Sequence, residues 1–215
     1  TALDVARTPP ASKEDYLLQT DEFDFATEAI LTKAQTVPTL IVLPKWRSGM
    51  RLTGIAHPVL LIEPGKITDT LEEVTGGGTA DLVYGRTPFT EFSYRAANGV
   101  TLGARLYAAQ MFRKEGCDPI IGTSDAMILG SCPLPADAPS DIDGARDRVL
   151  VLSDPDLLNN HGLRLGDNAQ IAADFLASQT DEGNIVIDYS RVSWLRDPVQ
   201  APVRERTRAD PSRFF

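Results

Sequence analysis

The sequence predicts an α/β fold in which a β-rich insertion splits a parallel-sheet core. Two observations predict the core. Residues 39–43 ("TLIVL") and 149–152 ("VLVL") are continuous apolar runs of strand length, the pattern of strands covered on both faces. Each run has an amphipathic helical segment beside it, 24–34 before the first and 168–176 after the second. A third observation predicts the insertion. From about residue 49 to 139 the chain is rich in Gly, Pro and Thr and breaks into short strand-like runs.

In chain order, residues 2–6 ("ALDVA") and 15–19 ("DYLLQ") read as strands, the first closed by Arg7, Thr8 and two prolines. Asp21 or Asp24 can cap a helix running to about Ala34, with Phe25, Ala29 and Ile30 on one side. With the 39–43 run this makes a strand–helix–strand unit, which is right-handed when the strands are parallel. The middle offers strands at 58–63, 81–85, 100–107, 119–122 and 126–131, one short helix at 66–74 and a flexible Gly76–Gly77–Gly78 loop. A polar loop, 135–147, leads out. The α/β pattern resumes with the 149–152 strand. Helix 168–176 follows, with Ile171, Ala172, Phe175 and Leu176 at helical spacing, and then a strand at 185–187 that ends at Asp188. The expected divisions are 1–48 and 148–190 for the two parts of the core, 49–147 for the insertion and 191–215 for a tail holding six arginines.

Of the 215 residues, 42% are hydrophobic and 24% charged, an ordinary globular balance. The net charge of -9 argues against nucleic acid as a partner, because phosphate binding needs a basic face. The longest apolar runs are strand-sized, far short of the roughly 18 residues of a membrane span. The chain begins at Thr1 rather than Met, which suggests a trimmed sequence.

In parallel α/β sheets ligands bind at the carboxyl ends of the strands. Three such ends carry polar groups: Lys45, Trp46 and Arg47; Ser153, Asp154 and Asp156; and Asp188. If these strands are neighbours, cations face carboxylates across one crevice, which suits a zwitterionic or sugar-like ligand. The competing reading, which the sequence favours, is a structural network of ion pairs and hydrogen bonds.

The stretch "SDPDLLNNHGLRLGDNA" admits both readings. Asp154 and Pro155 suit a turn, Gly162 and Gly166 suit positive φ, and Asp167 or Asn168 suits the cap of the following helix. Turn chemistry does not explain Asn159, Asn160 and His161 together. They join the candidate ligand site, with His161 open to an acid–base role or to an ordinary surface position. Asp154, Asp156 and Asp188 are hard oxygen ligands of the kind a divalent cation takes, but no acidic loop has calcium-hand spacing, which argues against a metal site. Ser153 lacks the glycines of a nucleophile elbow. No catalytic residue, metal or cofactor is expected.

The two cysteines, Cys117 and Cys132, fit either two buried thiols or a disulfide. The segment between them reads as two short strands around a Thr-Ser-Asp turn. Antiparallel pairing about that turn sets the cysteines nearly opposite, which favours the bond.

Residues 39–47 ("TLIVLPKWR") and 149–188, with the Ser-Asp-Pro-Asp turn, the asparagines, Gly-Leu and Asp-Asn-Ala, resemble the bacterial domain-of-unknown-function family 4350. That resemblance implies a class I glutamine amidotransferase-like, flavodoxin-like core without an established activity. It also implies one membrane span before the domain and one after it; the terminal "PSRFF" is similar to the approach to such a span. Where many relatives carry Asp-Glu and histidines after the last strand, this chain keeps only Asp188, which weakens an inherited acid–base role. The expectation is therefore a bacterial, membrane-anchored protein whose domain lies on the extracytoplasmic, periplasmic side of the inner membrane. The domain is expected to be a non-catalytic module for a membrane-protein partner or a small ligand. A hydrolase or transferase working at the carboxyl edge of the sheet is the alternative.

Overall fold

The two apolar runs become adjacent strands. The computed structural model describes residues 2–3, 27–46, 57–136, 144–180, 185 and 187–188. The expected strand at 15–19, the helix caps Asp21 and Asp24, Arg47, most of the exit loop and the tail lie outside the described residues.

In chain order the elements are β1 (Ala2–Leu3), α1 (Thr27–Thr36), β2 (Leu40–Val42), α2 (Pro64–Val74), β3 (Ala80–Tyr84), β4 (Phe89–Arg95), β5 (Thr101–Tyr107), β6 (Gln110–Lys114), β7 (Asp118–Thr123), β8 (Ala126–Pro133), β9 (Arg148–Leu152), α3 (Asn168–Ser178) and β10 (Ile187–Asp188). One mixed sheet runs β10-β1-β2-β9-β8-β6-β3, with β7 also paired to β8. The first four strands of that order are mutually parallel, and β9 is the seam, parallel to β2 and antiparallel to β8. The fold is thus α/β with a mixed sheet, and among the described residues it has three α-helices. None of them is long and apolar enough to cross a membrane.

The stretch between the two core segments supplies the antiparallel half of this sheet. Only the β4–β5 hairpin forms a separate two-stranded sheet. Each face of the main sheet has its own core. On one side Ile41, Val149 and Val151 pack with Ile30 and Ala34 of α1 and Ile67, Leu71 and Val74 of α2. The last three recur at helical spacing, so one stripe of α2 is buried. On the other side Leu40 and Leu152 pack with Ile171 and Phe175 of α3 and with Leu102, Ala104 and Leu106 of the hairpin. The alternation of β5 is clean, with these three buried between exposed residues up to the half-buried Tyr107 at its end. A change of Leu71, fully buried, to Ala would leave a cavity costing about 2–5 kcal/mol.

Several sequence expectations need correction. Residues 58–63 are not a strand. Pro58–Leu60 form a 3-10 turn, with Pro58 in the first turn and His57 Nδ1 accepting from the Val59 N–H at 3.2 Å. Proline has no N–H to give a ladder but suits a helical start. For the same reason α2 begins at Pro64 rather than Lys66. β4 and β6 were not anticipated, because neither carries an uninterrupted apolar run.

Cys117 and Cys132 form a disulfide with a Cα–Cα distance of 4.1 Å, next to the paired residues Asp118 and Ser131 of the β7–β8 hairpin. Both cysteines are buried in the core on the α1–α2 side.

Candidate functional site

Because β2 and β9 run parallel in register, with Val42 opposite Leu152, the residues after them leave the same edge of the sheet together. Leu43 extends the ladder by donating to Leu152 O at 2.9 Å. Two residues on, Lys45 turns inward. It is 1% exposed, and Asp154 and Asp156 are 0% exposed. Lys45 Nζ donates to Asp154 Oδ2 at 2.8 Å, Asp156 Oδ2 at 2.8 Å and the Tyr107 carbonyl at 2.8 Å, so its three hydrogens are all placed.

The two carboxylates are saturated with donors. Asp154 also accepts from the backbone N–H groups of Asp156 at 3.0 Å and Gln110 at 2.9 Å. Asp156 Oδ1 accepts from Trp46 Nε1 and from Asn159 Nδ2, both at 2.9 Å. On its other oxygen, His161 Nδ1 lies at 3.0 Å. Burial raises the Asp154 carboxyl from 3.8 to about 6, with Lys45 opposing and Asp156 reinforcing. Burial also pushes Asp156 upward, but the charge and hydrogen bond of Lys45, with help from Asn159 and Trp46, outweigh it and hold Asp156 below the usual carboxylate value. Tyr84, half-buried with Asp154 nearby, is pushed up to about 12.

Gln110, at the start of β6, is a hub the sequence did not announce. Its side chain donates to Pro44 O at 3.0 Å and Ser153 O at 2.5 Å, and its carbonyl accepts from Ser153 Oγ at 2.7 Å. Ser153 is therefore a fully buried tie between β6 and β9, and its hydroxyl is committed to backbone. The turn that delivers both Tyr107 O and Gln110 N to the cluster passes through Ala108 at φ 45°, a left-handed conformation that costs a non-glycine residue about 1–2 kcal/mol. The only sequence signal was the pair of alanines separating two short runs.

Above the buried charges lie half-buried rings. Trp46 and Tyr107 have centroids 6.3 Å apart at 15°, His161 meets Trp46 edge-on at 5.4 Å, and Phe89 tilts against Tyr107 at 5.4 Å. The Arg105 guanidinium sits 4.5 Å over Phe89.

Lys45, Trp46, Asp154, Asp156, Asn159 and His161 thus belong to one cluster. Asn160 is exposed and joins none of these hydrogen bonds. Asp188 ends β10, and β1 and β2 stand between it and β9; nothing further is described for its side chain. Asp167 and Asn168 do not act as side-chain caps. Asp167 holds the N-cap position of α3 but its carboxylate makes no cap hydrogen bond. It accepts instead from Gly103 N at 2.8 Å. Asn168, fully buried, reaches the same strand: Oδ1 accepts from Arg105 N at 2.9 Å, and Nδ2 donates to Arg105 O at 2.8 Å and Gly162 O at 2.9 Å. A cap would satisfy one orphan N–H of the helix, whereas these two residues spend their polar atoms on Gly162 and on backbone groups of the edge of β5 that, among the described residues, pairs with no strand. Gly162 is needed for closeness rather than for positive φ, since a Cβ there would lie 2.0 Å from Asp156 O; Gly166 has φ 49° as anticipated.

Comparison with known proteins finds no family model, no curated protein and no solved structure that matches this chain.

Proposed function

We propose that this domain is a non-catalytic binding module whose contact surface is the aromatic rim over the Lys45–Asp154–Asp156 cluster. The observation that carries the reading is the saturation of Lys45: all three hydrogens are spent inside the protein, and both carboxylates are filled by donors. Groups so committed brace a surface. They do not exchange protons with a substrate or hold a metal ion. The rings they brace sit at the carboxyl edge, where α/β folds present ligands, and bind either a partner protein or a small ligand.

The two stretches that resemble domain-of-unknown-function family 4350 come to lie side by side as β2 and β9, with β10 beyond them. That adjacency supports membership of the family, and with it a class I glutamine amidotransferase-like, flavodoxin-like core in a membrane-anchored bacterial protein. The disulfide supports an oxidising, extracytoplasmic location. Protease added to intact spheroplasts would then cut the domain in the full-length protein, and protection until lysis would reject that location.

The binding reading is tested by screening small polar and aromatic compounds against the labelled domain, with the Trp46 indole N–H and the Tyr107 and His161 rings as reporters. A photo-cross-linker at Asn160 of the full-length protein tests for a protein partner. Shifts or adducts confined to this edge support the reading; their absence in both experiments overturns it. The hydrolase or transferase reading keeps one favourable observation, that Asp156 fixes the orientation of His161 through Nδ1.

A further inference from the structure

We propose that the free edge of β3 pairs with the β3 edge of a second copy of this chain, antiparallel and about a two-fold axis at Leu82. The pairing of β3 with β6 fixes which backbone groups are left over. Gly85 N donates to Ala109 O at 2.8 Å, so Gly85 and Ala109 are a hydrogen-bonded pair of the antiparallel ladder. The register runs from Ala80↔Lys114 to Tyr84↔Gln110. Bonded pairs therefore fall at Asp81 and Val83, and the N–H and C=O groups of Ala80, Leu82 and Tyr84 face away from β6. Two side chains agree with this parity. Gln110, opposite Tyr84, gives its N–H to Asp154 and its carbonyl to Ser153 Oγ, both away from β3. Glu72 Oε1 accepts the outward Ala80 N–H at 2.6 Å. Among the described residues no strand pairs with the other side of β3, and the outward N–H groups of Leu82 and Tyr84 meet no acceptor.

Open edges invite pairing, and proteins guard them with proline, lysine or a bulge. β7, which among the described residues pairs only with β8, carries Pro119 and register shifts around Ile121. β3 ("ADLVY") has no such guard: its register is unbroken, and its one charge, Asp81, is already answered by Arg113 of β6. A second copy fits because the strand is self-complementary. Outward groups meet outward groups only when the two-fold lies at Ala80, Leu82 or Tyr84, and Leu82 gives the longest overlap. There Leu82 N–H donates to Leu82 O of the second copy and the reverse bond forms as well. Each Tyr84 N–H donates to Ala80 O of the other copy, which leaves the Glu72 cap in place. Leu82, only partly buried at the edge of the core, lies beside its own counterpart as an apolar cross-strand pair. On the opposite face Asp81 falls beside Val83 of the second copy rather than beside another aspartate, and Val83, 38% exposed, is covered. Such an interface is isologous and closes on itself.

Sedimentation of the chain from about 1 μM to about 1 mM, in roughly 0.15 M salt to screen its net charge of -9, should show a monomer–dimer equilibrium. Amide exchange at Leu82 and Tyr84 should slow as the dimer fills, while Val83, bonded to Met111, is protected throughout. The exposed Val83 side chain reads the register without disturbing the core. Val83→Glu faces Asp81 of the other copy at both symmetric positions and should weaken association about five- to tenfold. Val83→Lys faces the same carboxylates and should match or exceed the unaltered chain. Leu82→Pro removes only an outward N–H, so the pairing with β6 is kept and the dimer should be lost; circular dichroism and the urea midpoint check that this variant folds. Three results would each overturn the proposal. They are a monomer at every concentration, equal effects of glutamate and lysine at Val83, and protection of Leu82 and Tyr84 that does not depend on concentration, which would mean pairing within one chain.

Discussion

The connection from β9 to α3 is fastened at both ends, by two different kinds of buried polar node. At its start, Asp154 and Asp156 grip Lys45 with full charges. At its end, Asn168 grips Arg105 and Gly162 through a neutral amide whose three hydrogen bonds are all made within 2.8–2.9 Å. Both nodes join segments far apart in sequence, and both centre on fully buried polar side chains. The neutral node is complete in itself and indifferent to pH. The charged node ties more elements together, but carries a desolvation cost and a demand for one more proton. Specific long-range fastening can therefore be had either way, and only one way makes the loop sensitive to its surroundings.

The strongest way to break this contrast is Lys45→Ala. It strands two carboxylates in the interior and should destabilise by about 3–5 kcal/mol at pH 7, read from the urea midpoint. A loss below about 1 kcal/mol would show that water reaches the cluster. Asn168→Ala should cost about 1–3 kcal/mol, since it leaves the buried Gly162 carbonyl and the half-buried backbone of Arg105 without their partner, and the cost should be equal at pH 5 and pH 8. A pH-dependent cost would erase the distinction between the nodes.

The pH profile itself sharpens it. Asp154 is raised to about 6, so the folded state takes up that proton before the unfolded state does, and stability should rise as pH falls through about 6. Asp156 is lowered, so its contribution is present above the ordinary carboxylate range and is lost as pH falls below about 4. Calorimetry should show a maximum between the two limbs, and Asp154→Asn should remove the upper limb alone. Two smaller effects close the series. Asp167→Ala should cost only about 0.5–1 kcal/mol, because the hydrogen bond it loses to Gly103 N is exposed. Ala108→Gly should stabilise by about 0.5–1 kcal/mol, since glycine tolerates the left-handed turn that feeds Tyr107 O and Gln110 N into the cluster.

The charged node was legible in the sequence because its members follow two apolar strands, and parallel pairing of such strands brings their carboxyl ends together. The partnership of Lys45 and Trp46 with Asp154 and Asp156 follows from that alone. The neutral node was not legible. Asp-Asn before an amphipathic run reads as a cap by local rules, and nothing local shows that β5 would pass close enough to take those polar atoms. Gln110 escaped for a related reason. "QMFRK" has no period-2 pattern, because β6 is buried at Gln110, Met111, Phe112 and Lys114 alike. In "PVLLIE" the proline favours a helical start and the apolar run behind it favours a strand, and the fold follows the proline.

The seam at β9 also sets an order of assembly. β7 and β8 are joined by a tight turn at Ser124–Asp125, and hairpins of this kind close in about 1–10 μs. The pairing of Leu40 with Leu150 must instead gather the chain across the whole antiparallel half, and such distant contacts form late. Cys117 and Cys132 therefore meet early. Lys45, Tyr107 and Asp154 meet last, each arriving on a different segment. A newly made chain held up between those two events would have its cysteines side by side, ready for an oxidant, while its most apolar strands and its buried charges still waited in water. That interval is when the domain is most exposed to aggregation.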